Sequence, residues 1–340
     1  MSLKLTVVIP CRNELKYIRS CVEAIYACDL PAECEMRVFV VDGKSDDGTV
    51  AEIQQLATEF PGLELVVNER QLTPYAFNLG IYAGGKADYV QIVGARHMLS
   101  KNYFTECLKV LENDPAVWCV GGRIINQFEN EQGRIISKAM STSFGMGLGN
   151  FRALKASGYT DTVTSPMYPY RVFETIGFFD EDLVRNQDDD FNFRVTEAGG
   201  KIYYCHEISL EYYVRGNMRN LWRQFHQYGY WKVFVNRKHK AVTTMRQLVP
   251  PAFVLFLITL PLTFLVHRYL GYAALAGLMM YIGLGMLVAL KATEKPKEVL
   301  SLWSVFPVLH LSYGLGYLKG MIDFLVLRKN PSDQAKRLSR

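Results

Sequence analysis

Residues 5–28 read "LTVVIPCRNELKYIRSCVEAIYAC": a β-branched run that stops at Pro10, a polar turn, then apolar residues at helical spacing from Leu15 onward. A second β-branched run, "MRVFVVDG" at 36–43, ends in another turn signal and makes the opening of the chain a βαβ unit. The alternation continues with "TVAEIQQLATEF" (49–60) as a helix, "LELVVNE" (63–69) as a strand, "PYAFNLGIYAGG" (74–85) as a helix and "DYVQIVG" (88–94) as a strand. This order predicts an α/β fold with a mostly parallel, Rossmann-like sheet and helices on both faces. Such sheets take ligands at the carboxyl ends of their strands. The polar clusters fall there: "PCRNE" (10–14) after the first strand, "DGKSDDGT" (42–49) after the second and "GARH" (94–97) after the fourth.

No GxGxxG follows the first strand and no GxxxxGK[ST] occurs, which argues against a dinucleotide oxidoreductase and a P-loop enzyme. Asp42, at a strand end, can accept hydrogen bonds from a ribose hydroxyl or a base N–H. "SDDGT" has a structural reading beside this, with Asp46 or Asp47 as the N-cap of the next helix and Gly48 for the turn. After residue 120 the pattern loosens into Gly-rich and aromatic segments, "FGMGLGNFR" (144–152) and "YTDTVTSPMYPYR" (159–171). A carboxylate cluster, "RNQDDDFNFRVTEAGG" (185–200), then opens a helix.

The carboxyl-terminal third has a different composition. Leu248 to Val266 and Gly271 to Leu290 contain no charged residue, and each is about long enough to cross a hydrocarbon core of roughly 30 Å. A third uncharged run, Leu300 to Leu318, is weakened by Pro307 and His310 and followed by Lys319 and Asp323. Basic residues flank these runs at Arg237, Lys238, Lys240 and Arg246, at Lys291, Lys295 and Lys297, and at Arg328, Lys329, Lys336, Arg337 and Arg340. All three clusters favour the cytoplasmic side. The bias therefore predicts two spans, near 248–266 and 271–290, with 299–327 in-plane or re-entrant. The expected organisation is a domain over 1–240, a membrane-associated helical region over 241–330 and a basic tail over 331–340.

"MSLKLTVVIP" is strand-like, with no extended apolar segment before a cleavage site, so the first domain is expected in the cytosol. Seven cysteines, an odd number with no CxxC pair, suit reduced thiols there better than a disulfide framework or a zinc site. The net charge of +5 is mild, and nucleic acid is not among the expected partners.

The motifs resemble those of the family 2 glycosyltransferases. "VVIPCRNE" looks like that family's opening strand and nucleotide loop, and "VVDGKSDDGT" like its second strand and turn. "TIGFFDEDLVRNQDDDFNFRVTEAGGKI" (175–202) resembles its acceptor-side helix. Within the family, "VGGRI", "FGMGLGNFR", "DTV", "RNQDDDFNFR" and "LWRQFHQYGYWKV" are most similar to succinoglycan-type (ExoA-like) exopolysaccharide transferases, a likeness that runs from about residue 5 to 240.

The resemblance implies a GT-A fold followed by membrane helices, and an inverting, hexosyltransferase-type enzyme. It implies transfer from a nucleotide-diphosphate sugar to a lipid-linked or membrane-delivered acceptor, in surface polysaccharide or glycolipid synthesis, at the cell inner membrane or another cytoplasm-facing membrane. Membrane lipids are further partners, and an oligomer is open. On the matched positions, Pro10, Arg12, Glu14, Asp42, Asn78, Gly94, Arg96 and His97 would bind the nucleotide sugar. Asp188 would be the catalytic base, and Asp161, Asp190, Arg194, Gln224, Tyr228 and Trp231 would lie on the acceptor side.

The chemistry asks for some of these parts by itself. Single displacement with inversion needs one carboxylate to take the proton of the attacking hydroxyl, and "NQDDD" supplies it. Three aspartates at a helix start also suit capping and the helix dipole, while their mutual repulsion would raise one pKa toward a base's range.

The departing diphosphate is commonly stabilised by a divalent metal on a DxD pair at the end of the fourth strand. Here Gly94 and Arg96 stand in those places, so the metal ligands are unknown. Three readings are open: Arg96, with His97, does part of the metal's electrostatic work without any ion; Mg or Mn binds through the diphosphate and Asp188 or Asp190; or the chain is an inactive nucleotide-sugar-binding or scaffold relative. A nucleotidyltransferase would want a clear metal pair and a basic phosphate loop. "LWRQFHQYGYWKV" (221–233) suits either a sugar or lipid-diphosphate acceptor or an interfacial helix. "GLGYLKG" (314–320) has the spacing of close helix contact, within the chain or between chains.

Overall fold

The computed structural model describes residues 2–147, 154–214, 216–243 and 245–329. The basic tail expected over 331–340 and residues 148–152 of "FGMGLGNFR" lie outside them. Contacts divide the chain into two units, 1–127 with 154–213, and 128–153 with 214–340. The boundary near 240 read from sequence is one of composition. By contacts, residues 128–153 and 214–240 go with the apolar helices.

The first unit opens with β1 (Leu3–Cys11), α1 (Leu15–Tyr26), β2 (Cys34–Asp42), α2 (Thr49–Glu59), β3 (Leu63–Val67), α3 (Thr73–Gly84) and β4 (Tyr89–Ile92). Strands β3, β2, β1 and β4 pair in parallel in that order. Next come β5 (His97–Leu99), α4 (Tyr103–Asn113), β6 (Val117–Phe128), α5 (Glu131–Met140), α6 (Ser143–Met146), β7 (Gly158–Thr160), β8 (Thr164–Pro169), α7 (Arg171–Ile176), α8 (Gln187–Glu197) and β9 (Lys201–Val214). Here β8 pairs antiparallel with β4 and β6, and β9 with β5 and β7, so the sheet is mixed beyond its parallel half.

Alternate residues of β1 face opposite sides, as the period of a strand requires. Val7 and Ile9 pack with Ile18, Val22 and Ile25 of α1 and with Phe104 and Leu108 of α4. Val8 and Thr6 face α3, which lies so close that a Cβ on Gly80 would stand 2.4 Å from Val8 and one on Gly84 2.4 Å from Thr6. Glycine is required at both positions by approach, not by turn geometry. All seven cysteines are free thiols.

The second unit is α5 and α6 together with α9 (Met218–His239), α10 (Val249–Val266), α11 (Arg268–Ala292) and α12 (Val299–Gly320), the last continued by a π-helical turn, Met321–Val326. Helices α10 and α11 form an antiparallel hairpin through His267. Phe253 meets Tyr281 at 4.3 Å near the base, and Phe264 meets Tyr272 at 5.7 Å near the tip. Both helices are apolar all round and expose Leu255, Ile258, Leu262, Met279, Met280 and Leu287, the pattern of helices surrounded by lipid.

By length and composition three helices can cross a membrane: Met245–Val266, Arg268–Ala292 and Pro296–Val326. The third, expected to be in-plane or re-entrant, is a helix of full span length whose apolar window is 44% buried inside the protein, against 11% for each of the others. It is covered by α9, to which it runs parallel. Cβ atoms built on Gly229, Gly316 and Gly320 would stand 2.0, 2.0 and 2.7 Å from the carbonyl oxygens of Tyr313, His226 and Tyr230. The "GLGYLKG" spacing therefore serves helix packing within the chain.

Candidate active site

Two loops at the carboxyl ends of β1 and β2 are tied to each other by side chains. Asn13, in the left-handed region at φ 53°, donates its amide to Asp46 Oδ1 at 2.8 Å and accepts from the Asp46 N–H at 3.0 Å. Its own N–H donates to Ser45 Oγ at 2.7 Å, and the Glu14 N–H donates to Thr49 Oγ1 at 3.0 Å. Asp42 is buried, and its carboxylate accepts from the N–H and the hydroxyl of Ser45. A carboxylate has about four acceptor sites, so this leaves acceptor capacity for a ligand.

The N-cap of α2 is Gly48, at φ 96°, and neither aspartate holds that position. Asp47 instead accepts from the Thr49 N–H and hydroxyl and from the Leu15 N–H at the start of α1. Burial works to raise the Asp47 pKa, but these hydrogen bonds outweigh it and hold the carboxyl below its ordinary value.

The turn after β4 explains its missing carboxylates. The His97 ring lies against Gly94: a Cβ at residue 94 would stand 2.9 Å from its Cε1. Ala95 is buried in the core. Arg96 donates Nε–H to Glu14 Oε2 at 2.6 Å and lies over the Tyr17 ring at 4.7 Å, while its terminal amino groups make no hydrogen bond among the described residues. Glu14, at the foot of α1, is almost fully buried, and its negative charge faces the Arg96 guanidinium. Pro10 and Arg12 lie on the same edge, partly exposed at the end of β1 and just beyond it.

Sequence reading missed Ser165. It sits in β8 at φ 47°, with its hydroxyl 2.7 Å from His97 Nδ1. A serine before a proline normally favours extended backbone, so nothing in "TVTSPM" signals this conformation.

The three aspartates of α8 have three different surroundings. Asp188 is exposed; Asp189 accepts from the side-chain amide of Asn186, the left-handed N-cap, at 2.7 Å; Asp190 is fully buried. Asp190 pairs with Arg194 at 3.0 Å, and the guanidinium also donates to the carbonyls of Ile176, Gly177 and Phe178. That clamp fixes the start of α8 against the preceding loop. Asn192 donates to Thr162, next to the exposed Asp161, and ties in a second loop.

Asn78 on α3 is buried, and its amide pairs with both backbone groups of Phe179 and with Glu181, so its bonds are made within the fold. Gln224, Tyr228 and Trp231 belong to the second unit. Gln224 donates to Tyr228 at 2.7 Å along α9, and both are partly exposed. Trp231 is 1% exposed and packs on Tyr230, Phe234 and Phe324. Its expected place on an acceptor surface is therefore corrected: the indole is core.

The turn at 94–96 has no carboxylate, and among the described residues no three His, Cys, Asp or Glu side chains gather as a metal site.

The family model "Glycosyl transferase family 2" matches residues 6–177. Over 329 residues the chain is 27% identical to the dolichyl N-acetyl-alpha-D-glucosaminyl phosphate 3-beta-D-2,3-diacetamido-2,3-dideoxy-beta-D-glucuronosyltransferase of Methanococcus voltae, covering 94% of this chain and 97% of that one. It is 24% identical over 333 residues to the succinoglycan biosynthesis protein ExoA of Rhizobium meliloti, covering 94% and 95%. Its fold is similar to that of the Pyrobaculum calidifontis mannosyltransferase PcManGT, solved in complex with GDP-Man and Mn2+, with a TM-score of 0.62, 17% identity and coverage of 95% and 88%. With that family model spanning half the chain and these relatives nearly all of it, on a GT-A-like α/β core, the protein belongs to glycosyltransferase family 2.

Proposed function

We propose that the protein transfers a glycosyl group, with inversion, from a nucleoside diphosphate sugar to a lipid-linked acceptor in surface polysaccharide or glycolipid assembly. One observation carries the mechanistic part: of the three aspartates opening α8, Asp188 alone is exposed, while Asp190 is spent on Arg194. Asp188 takes the proton of the acceptor hydroxyl as it attacks the anomeric carbon. Pro10, Arg12, Glu14 and Asp42 hold the nucleoside. The charge growing on the leaving diphosphate is met by Arg96, through its terminal amino groups, with His97 beside it.

The acceptor class is supported by the dolichyl phosphate substrate in the name of the Methanococcus relative and by the three helices of span length. The first unit works on the cytosolic side, with two spans and the third apolar helix in-plane or re-entrant; the basic clusters around the apolar runs support this orientation.

Transfer is measured in detergent after a panel of nucleotide sugars has been screened for binding by thermal shift. Asp188→Asn is expected to lower the turnover by about 100- to 10,000-fold while nucleotide binding and thermal stability persist. Asp190→Ala breaks a buried ion pair and is expected to cost about 3–5 kcal/mol of stability. Undiminished transfer by Asp188→Asn would remove that residue from the role of base.

A further inference from the structure

The end of the sheet away from the strand-end loops holds a cavity of about 520 Å³, lined by Leu3 at the start of β1, Tyr89 at the start of β4 and Pro169 at the end of β8. Strand β1 runs nine residues from Leu3 to Cys11, so at roughly 3.3 Å per step the cavity lies about 26 Å from the loops that follow β1 and β2. Small-ligand sites have volumes of about 300–1,000 Å³.

The walls combine flat rings with polar groups that the fold leaves partly unused. Tyr89 and Tyr170 line the cavity, both partly exposed, and neither hydroxyl has a hydrogen-bond partner among the described residues. Ring contacts run on from Tyr170 to Phe173 at 6.2 Å, from there to Phe178 at 5.7 Å, and from there to Tyr82 at 4.6 Å. Tyr82 ends this row 56% exposed.

Two charged groups of the lining are held in place with capacity to spare. Arg171 lies over the Trp118 ring at 5.6 Å and donates one N–H to the Pro115 carbonyl at 2.7 Å, and its other N–H groups meet no acceptor among the described residues. Asp88 accepts from the Lys4 N–H through Oδ2 at 2.7 Å, which leaves Oδ1 without a donor among the described residues. Its backbone is pinned as well, by bonds to Lys4 and Tyr170. Lys86 and Glu174 add an exposed ion pair at 2.7 Å.

Two cations and two carboxylates balance, so the lining selects neither an anion nor a cation. A purely apolar ligand would cover donors and acceptors without satisfying them. A protein partner would press charged groups into the centre of an interface, where they are depleted. The complement is a neutral molecule whose hydroxyls both donate and accept, as the two phenols do, and whose C–H faces can lie on rings. We propose that this cavity is a second carbohydrate site, remote from the transfer reaction, which holds a neutral sugar unit of a glycan between Tyr89, Tyr170, Asp88 and Arg171. It requires no nucleotide and no role for Asp188, so it stands apart from the proposed function.

The test uses the full chain in a detergent without a sugar head group, with no donor or metal added. Saturation-transfer NMR is recorded with glucose, galactose, mannose and N-acetylglucosamine in turn. At least one sugar is expected to receive saturation, with a Kd on the order of 1 mM, and to keep it when UDP and GDP are added in excess. Tyr170→Ala is expected to weaken that binding about tenfold. Tyr89→Phe removes only a hydroxyl, and is expected to weaken it about fivefold, as loss of one hydrogen bond would, at an unchanged Tm.

No saturation of any of the four sugars overturns the proposal. So does binding that UDP or GDP displaces, which would place the sugar at the strand-end loops, and so does undiminished binding in both variants. A chain that transfers no sugar yet binds one here, with these variant effects, would fail the proposed function and keep this site.

Discussion

Gly94 shows how a single small residue reshapes the strand edge. With the imidazole of His97 lying where a Cβ would have to stand, a carboxylate at residue 94 and the observed ring cannot coexist. The His97 imidazole thus takes the space of a residue-94 side chain, and Arg96 stands at the second position of the usual acid pair. Arg96 brings one positive charge, already facing Glu14 through its Nε–H at 2.6 Å; in the proposed function its terminal amino groups meet phosphate oxygens. If this guanidinium stabilises the leaving group, Arg96→Gln is expected to lower kcat by about 100- to 1,000-fold, the range for a lost oxyanion donor, and wild-type activity is expected to persist in a chelator. Strict dependence on added Mg or Mn together with an indifferent Arg96→Gln would assign the charge to a metal bridging the diphosphate and an α8 carboxylate. "GARH" was legible as a strand-end cluster with no acid, but the reason for the glycine was not, because it lies in the packing of a side chain three residues on.

Among the elements, α1 and α2 start as a cross-tied pair, and Asp47 is the tie whose charge matters. Its carboxyl is held below the ordinary value by the hydrogen bonds it accepts, although burial opposes this. The stabilisation is therefore fully present above the unfolded carboxylate pKa and is lost as pH falls through the lower, folded one. Asp47→Asn is expected to be less stable than wild type near neutrality, with the gap narrowing over that acidic window; Tm measured against pH reads it directly.

Helices α9 and α12 meet through glycines, with Gly316 facing the His226 carbonyl at contact distance. Gly316→Leu forces the two backbones apart and is expected to lower the detergent-state Tm or prevent monodisperse expression, by about 1–3 kcal/mol or more. Gly283→Leu, on open space in α11, serves as the control. The "GLGYLKG" spacing announced a close helix contact. Its partner, lying about ninety positions earlier, could not be named, because a small-residue stripe carries no record of what approaches it.

For the whole molecule, the first unit is interrupted in sequence by a stretch whose described helices, α5 and α6, pack in the second. Ile135, Ile136 and Ala139 of α5 share one apolar cluster with Leu221 and Phe225 of α9 and with Leu302, Val305, Phe306 and Leu309 of α12. A chain cut after Tyr213 leaves that face of α5 without its partners. It is expected to aggregate, whereas the same piece with 128–153 replaced by a short Gly/Ser linker should elute as a monomer; equal monodispersity of both would contradict the assignment of α5 to the second unit's core. Sequence by itself determined the α/β core, the strand-end clusters, the family and the apolar helices, because each is written in local periodicity or in short contiguous motifs. Only the tertiary structure separated Asp188 from Asp190, withdrew Trp231 into a core, placed Ser165 against His97 and carried α5 into the second unit. Those distinctions are matters of burial and of hydrogen bonds between residues far apart in the chain, and neither leaves a periodic trace.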